Sequence, residues 1–522
     1  MTLQELLTDL EYELQTADGQ VVPKDSERGR KLLSREISDI TNDSRKAGAG
    51  MLFFAIRGAN SDGHDYAAQV AEQGAAAILA EHPLVLSRDG QDVLQLPAVI
   101  CVKSTRLGMA LISSAFYGHP SRRMKMIGIT GTKGKTTTTY LVRSILERAG
   151  IDMGLIGTIE SAWHGNHHPA NNTTPESIVL QKTLREMADD GVQAVVMEVS
   201  SQALKLDRTA GIVFDIGVFT NLSEDHIGPN EHESFEEYLH CKSLLFRQCR
   251  LGIVNGDDPN ADRILEGSTC QVERYGLQPE NDLYAENLQL ADKPGELGIC
   301  FDAKGILTLS CEVPTPGRFS VYNALAAIAI CHHFGVSPDD IEKALLSAKA
   351  KGRIELVKVS DAFTLMIDYA HNAVALESLL STLREYHPHR LISLFGCGGN
   401  RSKVRRFEMG EVSGRLADFT IITSDNPRNE EPMAIIDDIV TGISRTDGKY
   451  VTIPDRKEAI AYAIHHGEPG DIIVLAGKGH EDYQEIRGVK YPMDERVIIA
   501  DILKEDAQEG EREAMLRHPE NE

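Results

Sequence analysis

Apolar positions in this chain follow two alternating rhythms. Short runs of strand length, Met51 to Ile56, Ala76 to Leu79 and Ala98 to Val102, alternate with stretches of helical spacing, Ala67 to Ala77 and Ser104 to Tyr117. Gly118, His119 and Pro120 then close a first unit. The alternation resumes at Lys125. Met126 to Thr130 reads as a buried strand, and the helix after it puts Leu141, Val142, Ile145 and Leu146 on one face and stops at Gly150. Ala194 to Val199, Phe214 to Phe219 and Leu251 to Asn255 read as further strands, with a helix over Ser234 to Phe246. Residues 270 to 312 alternate with a strand's period, and helices follow at Ala324 to Phe334 and Pro338 to Ala348. Thr364 to Ile367, Leu391 to Phe395, Phe419 to Thr423 and Ile472 to Leu475 are the strands of a third unit. Strands alternating with helices predict an α/β protein with mostly parallel sheets.

The boundaries that follow are 1–124, 125–352 and 353–505, with Gly352 and Arg353 as a hinge and a charged, frayed tail over 506–522. The length of 522 residues agrees, being too great for one core. A net charge of -24 argues against a general binder of nucleic acid or anionic membrane. The 8 cysteines form no C-x-x-C pair and read as buried thiols of a reducing compartment. The acidic, amphipathic start is no signal peptide, and no apolar run is long enough to span a bilayer, so the expectation is a cytoplasmic protein.

Chemistry changes this picture at the strand ends. Strand 126–130 runs into Gly131, Thr132, Lys133, Gly134, Lys135 and Thr136, and the helix opens at Thr137. Strand, glycine-rich turn and helix make a phosphate cradle of backbone N–H groups and helix dipole. Lys135 would reach the outer phosphates of ATP or GTP, and the Thr136 hydroxyl would ligate Mg²⁺. The strict G-x-x-x-x-G-K-[ST] spacing is not met, because Gly128 lies one residue too early. Glu198 ends the next strand at the edge where ligands gather, where it could hold Mg²⁺ or be satisfied by loop N–H groups. In the third unit, loops 368–371, 396–401, 424–428 and 476–482 share one sheet edge and present Arg401, Asn426, Arg428, Lys478 and Glu481. Arg428 could clamp a carboxylate through two parallel hydrogen bonds, or pair with Glu430 or Glu431.

These residues resemble a known family. DSR at 43–45, TGTKGKT at 130–136, NTTP at 172–175, MEVSS at 197–201 and TNLSEDH at 220–226 are followed by YNALAA at 322–327, DYAH at 368–371, GCGGNR at 396–401, DNPR at 425–428 and GKGHEDYQ at 477–484. In that order they resemble the Mur ligases over nearly the whole chain. The nearest branch adds the third amino acid to UDP-N-acetylmuramoyl-L-alanyl-D-glutamate in peptidoglycan precursor synthesis. The resemblance implies three α/β domains: an N-terminal UDP-binding domain, a central ATP-binding domain with a parallel sheet, and a C-terminal Rossmann-like domain for the incoming amino acid. ATP would phosphorylate the D-glutamate γ-carboxylate, and an amine would attack the acyl phosphate. By resemblance, Thr136 and Glu198 would ligate one Mg²⁺. His226 would ligate a second, with Lys242 if carbamylated. Lys135 would hold the γ-phosphate, Gly131 to Thr137 would surround it, and Asn323, Arg353 and Asp368 would contact the nucleotide. Ser44 would face uridine, and Thr173, Thr174, Ser200 and Arg208 would hold the nucleotide dipeptide. Arg401, Asp425, Asn426, Arg428, Gly477 and Glu481 would hold the added amino acid.

DNPR is the form of the motif that goes with meso-diaminopimelate. Its distal carboxylate would meet Arg428 and its distal ammonium Glu481, whereas L-lysine would leave Arg428 unpaired. The implied protein is a monomer with no nucleic-acid partner and no membrane insertion. Three stretches depart from the family's usual text: 227–232 after TNLSEDH, Gln202 and Ala203 after MEVSS, and 372–374 after DYAH. The alternatives are the same reaction with L-lysine or another amino acid, or a divergent paralogue with another acceptor. A simple phosphate-loop kinase would not need the C-terminal cluster of strand-end loops.

Overall fold

The computed structural model describes residues 1–58, 61–86, 92–225, 227–228, 231–293, 296–348 and 350–517. His226 lies outside them. The chain forms two compact units, Met1–Gly276 with Ala329–Gly335, and Leu277–Ile328 with Val336–Glu522.

The first unit holds two sheets. The N-terminal sheet has five strands in the order Glu13–Gln15, Ala98–Cys101, Ala77–Ala80, Leu52–Phe54, Ile40–Thr41. All its pairs are parallel except the first. Its inner strands Leu52–Phe54 and Ala77–Ala80 are short, apolar and buried throughout, as a sheet covered on both sides requires. The helix Thr105–Phe116 packs Met109 and Ile112 against it.

In the second sheet, strand Lys125–Thr130 lies between Phe214–Phe219 and Ala194–Glu198, parallel to both. Cys249–Asn255 and Gln271–Gly276 extend one side in parallel, and Met153–Ile156 the other. The hairpin Glu160–Trp163 and Asn166–Pro169 then adds antiparallel strands at that edge. Every residue of strand Ala194–Glu198 is buried. Strand order reverses direction about 125–130, so the loops after 130, 198 and 219 meet at one switch point.

The second unit opens with three antiparallel strands, Leu283–Lys293, Glu296–Gly305 and Leu309–Val313. Its main sheet has six strands in the order Glu355–Val357, Thr364–Asp368, Ile472–Ala476, Leu391–Phe395, Phe419–Ile422, Tyr450–Thr452. Only the first pair is antiparallel. Helices Ala373–Arg384, Lys403–Leu416 and Pro432–Ile443 cover one face and Arg456–His465 the other. The turn expected as a hinge is tied within this unit: Gly352 N–H donates to Glu355 Oε2 at 2.7 Å, and Arg496 Nε donates to Glu355 Oε1 at 2.9 Å. The tail expected to fray from 506 is instead helical, within Glu495–Arg517. Among the described residues, no helix is long and apolar enough to cross a membrane.

Candidate functional site

In the first unit the site grows from the turn after Thr130. Helix Lys135–Arg148 begins two residues earlier than the sequence suggested, with Gly134 at φ 87° as its N-cap. Gly134 has no side chain with which to cap this end, as suits a helix N-terminus that receives a ligand. Gly131 is pressed against the neighbouring strand end, and a Cβ there would lie 1.9 Å from Thr220 Oγ1. The loop is fixed from that side. Thr132 N–H donates to Asn221 O at 2.8 Å, Lys133 N–H to Asn221 Oδ1 at 3.0 Å, and Thr220 Oγ1 to Lys133 O at 2.7 Å. Lys135 Nζ curls back to donate to Gly131 O at 2.8 Å and Thr132 O at 3.0 Å.

Thr136 and Glu198 face each other in a buried place. Thr136 Oγ1 lies 3.0 Å from each Glu198 carboxylate oxygen. Thr158 holds the carboxylate from behind through its N–H at 2.8 Å and its hydroxyl at 3.0 Å. A Cβ at position 157 would sit 2.5 Å from Glu198 Oε1, so Gly157 gives the carboxylate its room. These hard oxygen donors beside a phosphate cradle fit Mg²⁺, which takes one or two protein oxygens and completes its octahedron with phosphate and water. Among the described residues there is no cluster of three or more His, Cys, Asp or Glu that could hold a metal ion.

Lys242 enters the same loop from helix Phe235–Ser243. It is 1% exposed, donates to Gly131 O at 2.9 Å, and lies over the Tyr238 ring at 4.5 Å. Burial, then the neighbouring Lys135 charge, pushes its pKa well below the ordinary lysine value. Around Glu198, Thr174 Oγ1 donates to Glu198 O at 2.9 Å and accepts from Ser200 N at 3.0 Å. Thr173 Oγ1 lies 3.1 Å from Thr158 Oγ1, and Arg208 Nη1 donates to Thr174 O at 3.0 Å. Thr173, Thr174, Ser200 and Arg208 thus form one cluster with Glu198. Ser44 stands apart from them, half-buried in the turn after strand Ile40–Thr41. In the unusual 227–232 stretch, His232 is 1% exposed and its Nε2 lies 2.8 Å from Ser201 Oγ. The sequence reading did not single it out.

The second unit carries two groups. In the first, Asp368 accepts from Ile354 N at 2.9 Å and Ala370 N at 2.8 Å, while burial raises its pKa against the pull of Arg353. The Arg353 guanidinium lies over the Tyr369 ring at 4.7 Å, and its Nε is buried with no partner. A buried, unpaired guanidinium N–H is an unmet demand for an acceptor. Asn323 is buried in helix Arg318–His332.

The His480 ring lies tilted against that of Tyr369, with centroids 4.8 Å apart. Burial, then the charges of Arg353, Lys351 and Arg496, pushes its pKa from 6.5 down to about 4. Unfolded, this histidine takes up a proton below about 6.5; folded, only near 4. Its contribution is therefore present above pH 6.5 and lost as pH falls toward 4, up to about 3 kcal/mol. Denaturant midpoints measured across that window should fall less in His480→Asn than in the wild type; equal slopes would contradict the assignment.

The second group lies at strand ends 395, 422 and 476. Asn426 is its centre. Its Nδ2 donates to Glu481 Oε2 at 2.9 Å, and its Oδ1 accepts from Lys478 Nζ at 2.9 Å and Glu485 N at 2.8 Å. Lys478 is fully buried and also donates to Glu481 Oε2 at 2.8 Å. Asp425 is buried, and a Cβ at Gly477, where φ is 106°, would lie 3.0 Å from its Oδ2. Arg401 is exposed on the loop after Phe395. Arg428 pairs with neither sequence neighbour: Glu430 is held by Arg406 at 2.8 Å and Glu431 by Arg487 at 3.3 Å. Instead Arg428 Nε donates to Glu485 Oε2 at 3.1 Å and Nη1 to Gly399 O at 2.7 Å. Glu485 belongs to a hairpin, Tyr483–Ile486 and Val489–Pro492, that the sequence reading missed.

Three family models and several relatives match the chain over most of its length. Residues 36–117 match the Mur ligase family catalytic domain, 129–331 the Mur ligase middle domain, and 352–479 the Mur ligase glutamate ligase domain. The chain is 40% identical over 480 residues to the UDP-N-acetylmuramoyl-L-alanyl-D-glutamate–2,6-diaminopimelate ligase of Geobacillus thermodenitrificans, covering 90% of this chain and 95% of that one. It is 41% identical over 483 residues to the ligase of the same name from Bacillus licheniformis, again covering 90% and 95%. A solved structure of a UDP-N-acetylmuramoyl-L-alanyl-D-glutamate–2,6-diaminopimelate ligase superposes with a TM-score of 0.67 at 27% identity, covering 98% of this chain and 99% of that one.

Proposed function

This chain belongs to the Mur ligase family, and from that premise we propose that it joins meso-diaminopimelate to the D-glutamate γ-carboxylate of UDP-N-acetylmuramoyl-L-alanyl-D-glutamate at the expense of ATP. The observation that carries the choice of amino acid is Arg428. Its guanidinium is held by Glu485 and the Gly399 carbonyl, and Glu485 shares Asn426 with Glu481, so one connected group of strand-end residues offers a cation and an anion for the two charges of a second amino-acid head.

The residues act as follows. The uncapped helix N-terminus at Lys135 takes the ATP phosphates, and Lys135 leaves its loop carbonyls to hold the γ-phosphate. Mg²⁺ bound at Thr136 and Glu198 would offset the phosphate charge as phosphoryl transfer proceeds. His226 and a carbamylated Lys242 would hold a second ion. Support for the carbamate comes from the buried Lys242 amine, whose pKa is pushed well below the ordinary lysine value by burial, which favours the neutral form that reacts with CO₂. Arg353, whose Nε lacks a partner, offers a cation to the nucleotide; Asp368, which feels the Arg353 charge, and Asn323 offer further contacts, all three in the chain's second unit. The Thr173, Thr174, Ser200 and Arg208 cluster holds the dipeptide, and Ser44 faces uridine. Arg401, Asp425, Asn426, Arg428, Gly477 and Glu481 hold diaminopimelate. The amine of the amino acid attacks the acyl phosphate, loses a proton, and expels phosphate from the tetrahedral intermediate.

The functional domains are 1–124, 125–352 and 353–505, and the protein works as a monomer in the cytoplasm. A phosphate-release assay tests the ligase reading. Release should require both the nucleotide dipeptide and diaminopimelate with Mg-ATP. Rapid release from Mg-ATP alone would identify a simple ATPase instead.

A further inference from the structure

Arg428 is held from several directions, and Glu485 holds it through both its backbone and its side chain. Its φ of 52° lies in the left-handed region, which costs an L-residue energy unless its surroundings impose it. The surroundings do so through the hairpin. Arg428 N–H donates to Glu485 O at 3.0 Å, and Arg487 N–H donates to Arg428 O at 2.8 Å. The Glu485 side chain then takes the guanidinium at Nε, at 3.1 Å. Both partners are about a quarter exposed, at 23% and 27%. An ion pair in that position adds little stability. Its geometric effect is larger. A carboxylate can bind a guanidinium side-on, at Nε and Nη2, or end-on, at Nη1 and Nη2. Glu485 at Nε removes the side-on edge, and Gly399 O takes one of the two Nη1 hydrogens at 2.7 Å, which leaves the other Nη1 hydrogen and Nη2 for an end-on partner.

We infer that Glu485 is a positioning and specificity-determining residue: it occupies the Nε edge of Arg428 so that the end-on edge alone is presented to the distal carboxylate of the incoming amino acid. The inference rests on the reading of the site given above. Glu485 also registers the other half of the site. Its N–H donates at 2.8 Å to Asn426 Oδ1, and Asn426 Nδ2 holds Glu481 at 2.9 Å. One residue thus sets the spacing between the cation and the anion that meet the second amino-acid head. A chain lacking that carboxylate gains nothing from this alignment.

The test is steady-state kinetics of the full-length protein, E485A and E485Q at saturating Mg-ATP and UDP-N-acetylmuramoyl-L-alanyl-D-glutamate. Meso-diaminopimelate and L-lysine are varied separately. In E485A the KM for diaminopimelate should rise about tenfold, the size expected for losing one charge-assisted alignment. The preference for diaminopimelate over lysine in kcat/KM should fall by a similar factor. The KM for ATP should stay at the wild-type value. E485Q keeps an oxygen for Nε and should lie close to wild type. An unchanged KM and preference in E485A, with or without a lower unfolding midpoint, would overturn the inference. So would E485Q behaving like E485A. Failure of the wild type to use diaminopimelate would instead overturn the proposed function, and the wild-type arm reports that separately.

Discussion

Replacing Lys135 by methionine lowers kcat by about a thousandfold, the upper end of what one preorganised charge contributes at a reacting centre. The methionine keeps the apolar stem and deletes only the ammonium. The loop is expected to keep its shape, because Thr220 and Asn221 hold it from the neighbouring strand end. Lys135 Nζ donates to the loop's own carbonyls at 2.8 and 3.0 Å, contacts that water can replace. The loss therefore falls on the phosphoryl step and not on the fold. Single-turnover phosphate release measures it, with the unfolding midpoint as control. A kcat within a few-fold of wild type would show that the ammonium does not meet the transferring phosphate.

The second large effect is at Arg428. Arg428→Ala should raise the KM for diaminopimelate about a hundredfold, the size expected when one member of a hydrogen-bonded charge pair is deleted. The KM for ATP should not change. The left-handed backbone at this position is no confounding factor, because arginine and alanine bear a similar φ penalty there. Arg428→Lys should recover little, since an ammonium cannot reproduce two parallel hydrogen bonds. Initial rates with varied diaminopimelate measure the effect. Full recovery in Arg428→Lys would mean that charge alone, and not the planar fork, selects the substrate.

The parts of the chain legible in its sequence are those where pattern and chemistry coincide. Strand Lys125–Thr130 has a buried apolar run, and the helix after it shows a clear face, so both were readable. The helix start was displaced because Lys135 and Thr136 read as turn chemistry, whereas Gly134 at φ 87° already turns the chain into the helix. Glu198 was placed correctly at a strand end, but its support by Thr158 comes from a turn 40 residues away and leaves no local signal. Two hairpins escaped notice. Their turns, His164-Gly165 and Arg487-Gly488, have positive φ at both residues, a conformation usually signalled by Asn-Gly or Asp-Gly. Their outer strands, Asn166–Pro169 and Val489–Pro492, are exposed throughout and only four residues long, so they carry no core-facing apolar run to read. The second hairpin carries Glu485, which is why the partner of Arg428 could not be read from its neighbours. The charged C-terminal run reads as a tail because its residues carry no continuous apolar stripe, yet it continues as a helix to Arg517.

The most direct measurement gives the wild-type protein, with Mg-ATP and UDP-N-acetylmuramoyl-L-alanyl-D-glutamate, a choice of amine. Meso-diaminopimelate, L-lysine and L-ornithine are supplied in separate reactions, and the product is identified by mass. The account predicts the tripeptide product with diaminopimelate and little or none with the other two. Product formed chiefly from lysine would contradict the role given to Arg428, and no product from any of the three would contradict the proposed reaction itself.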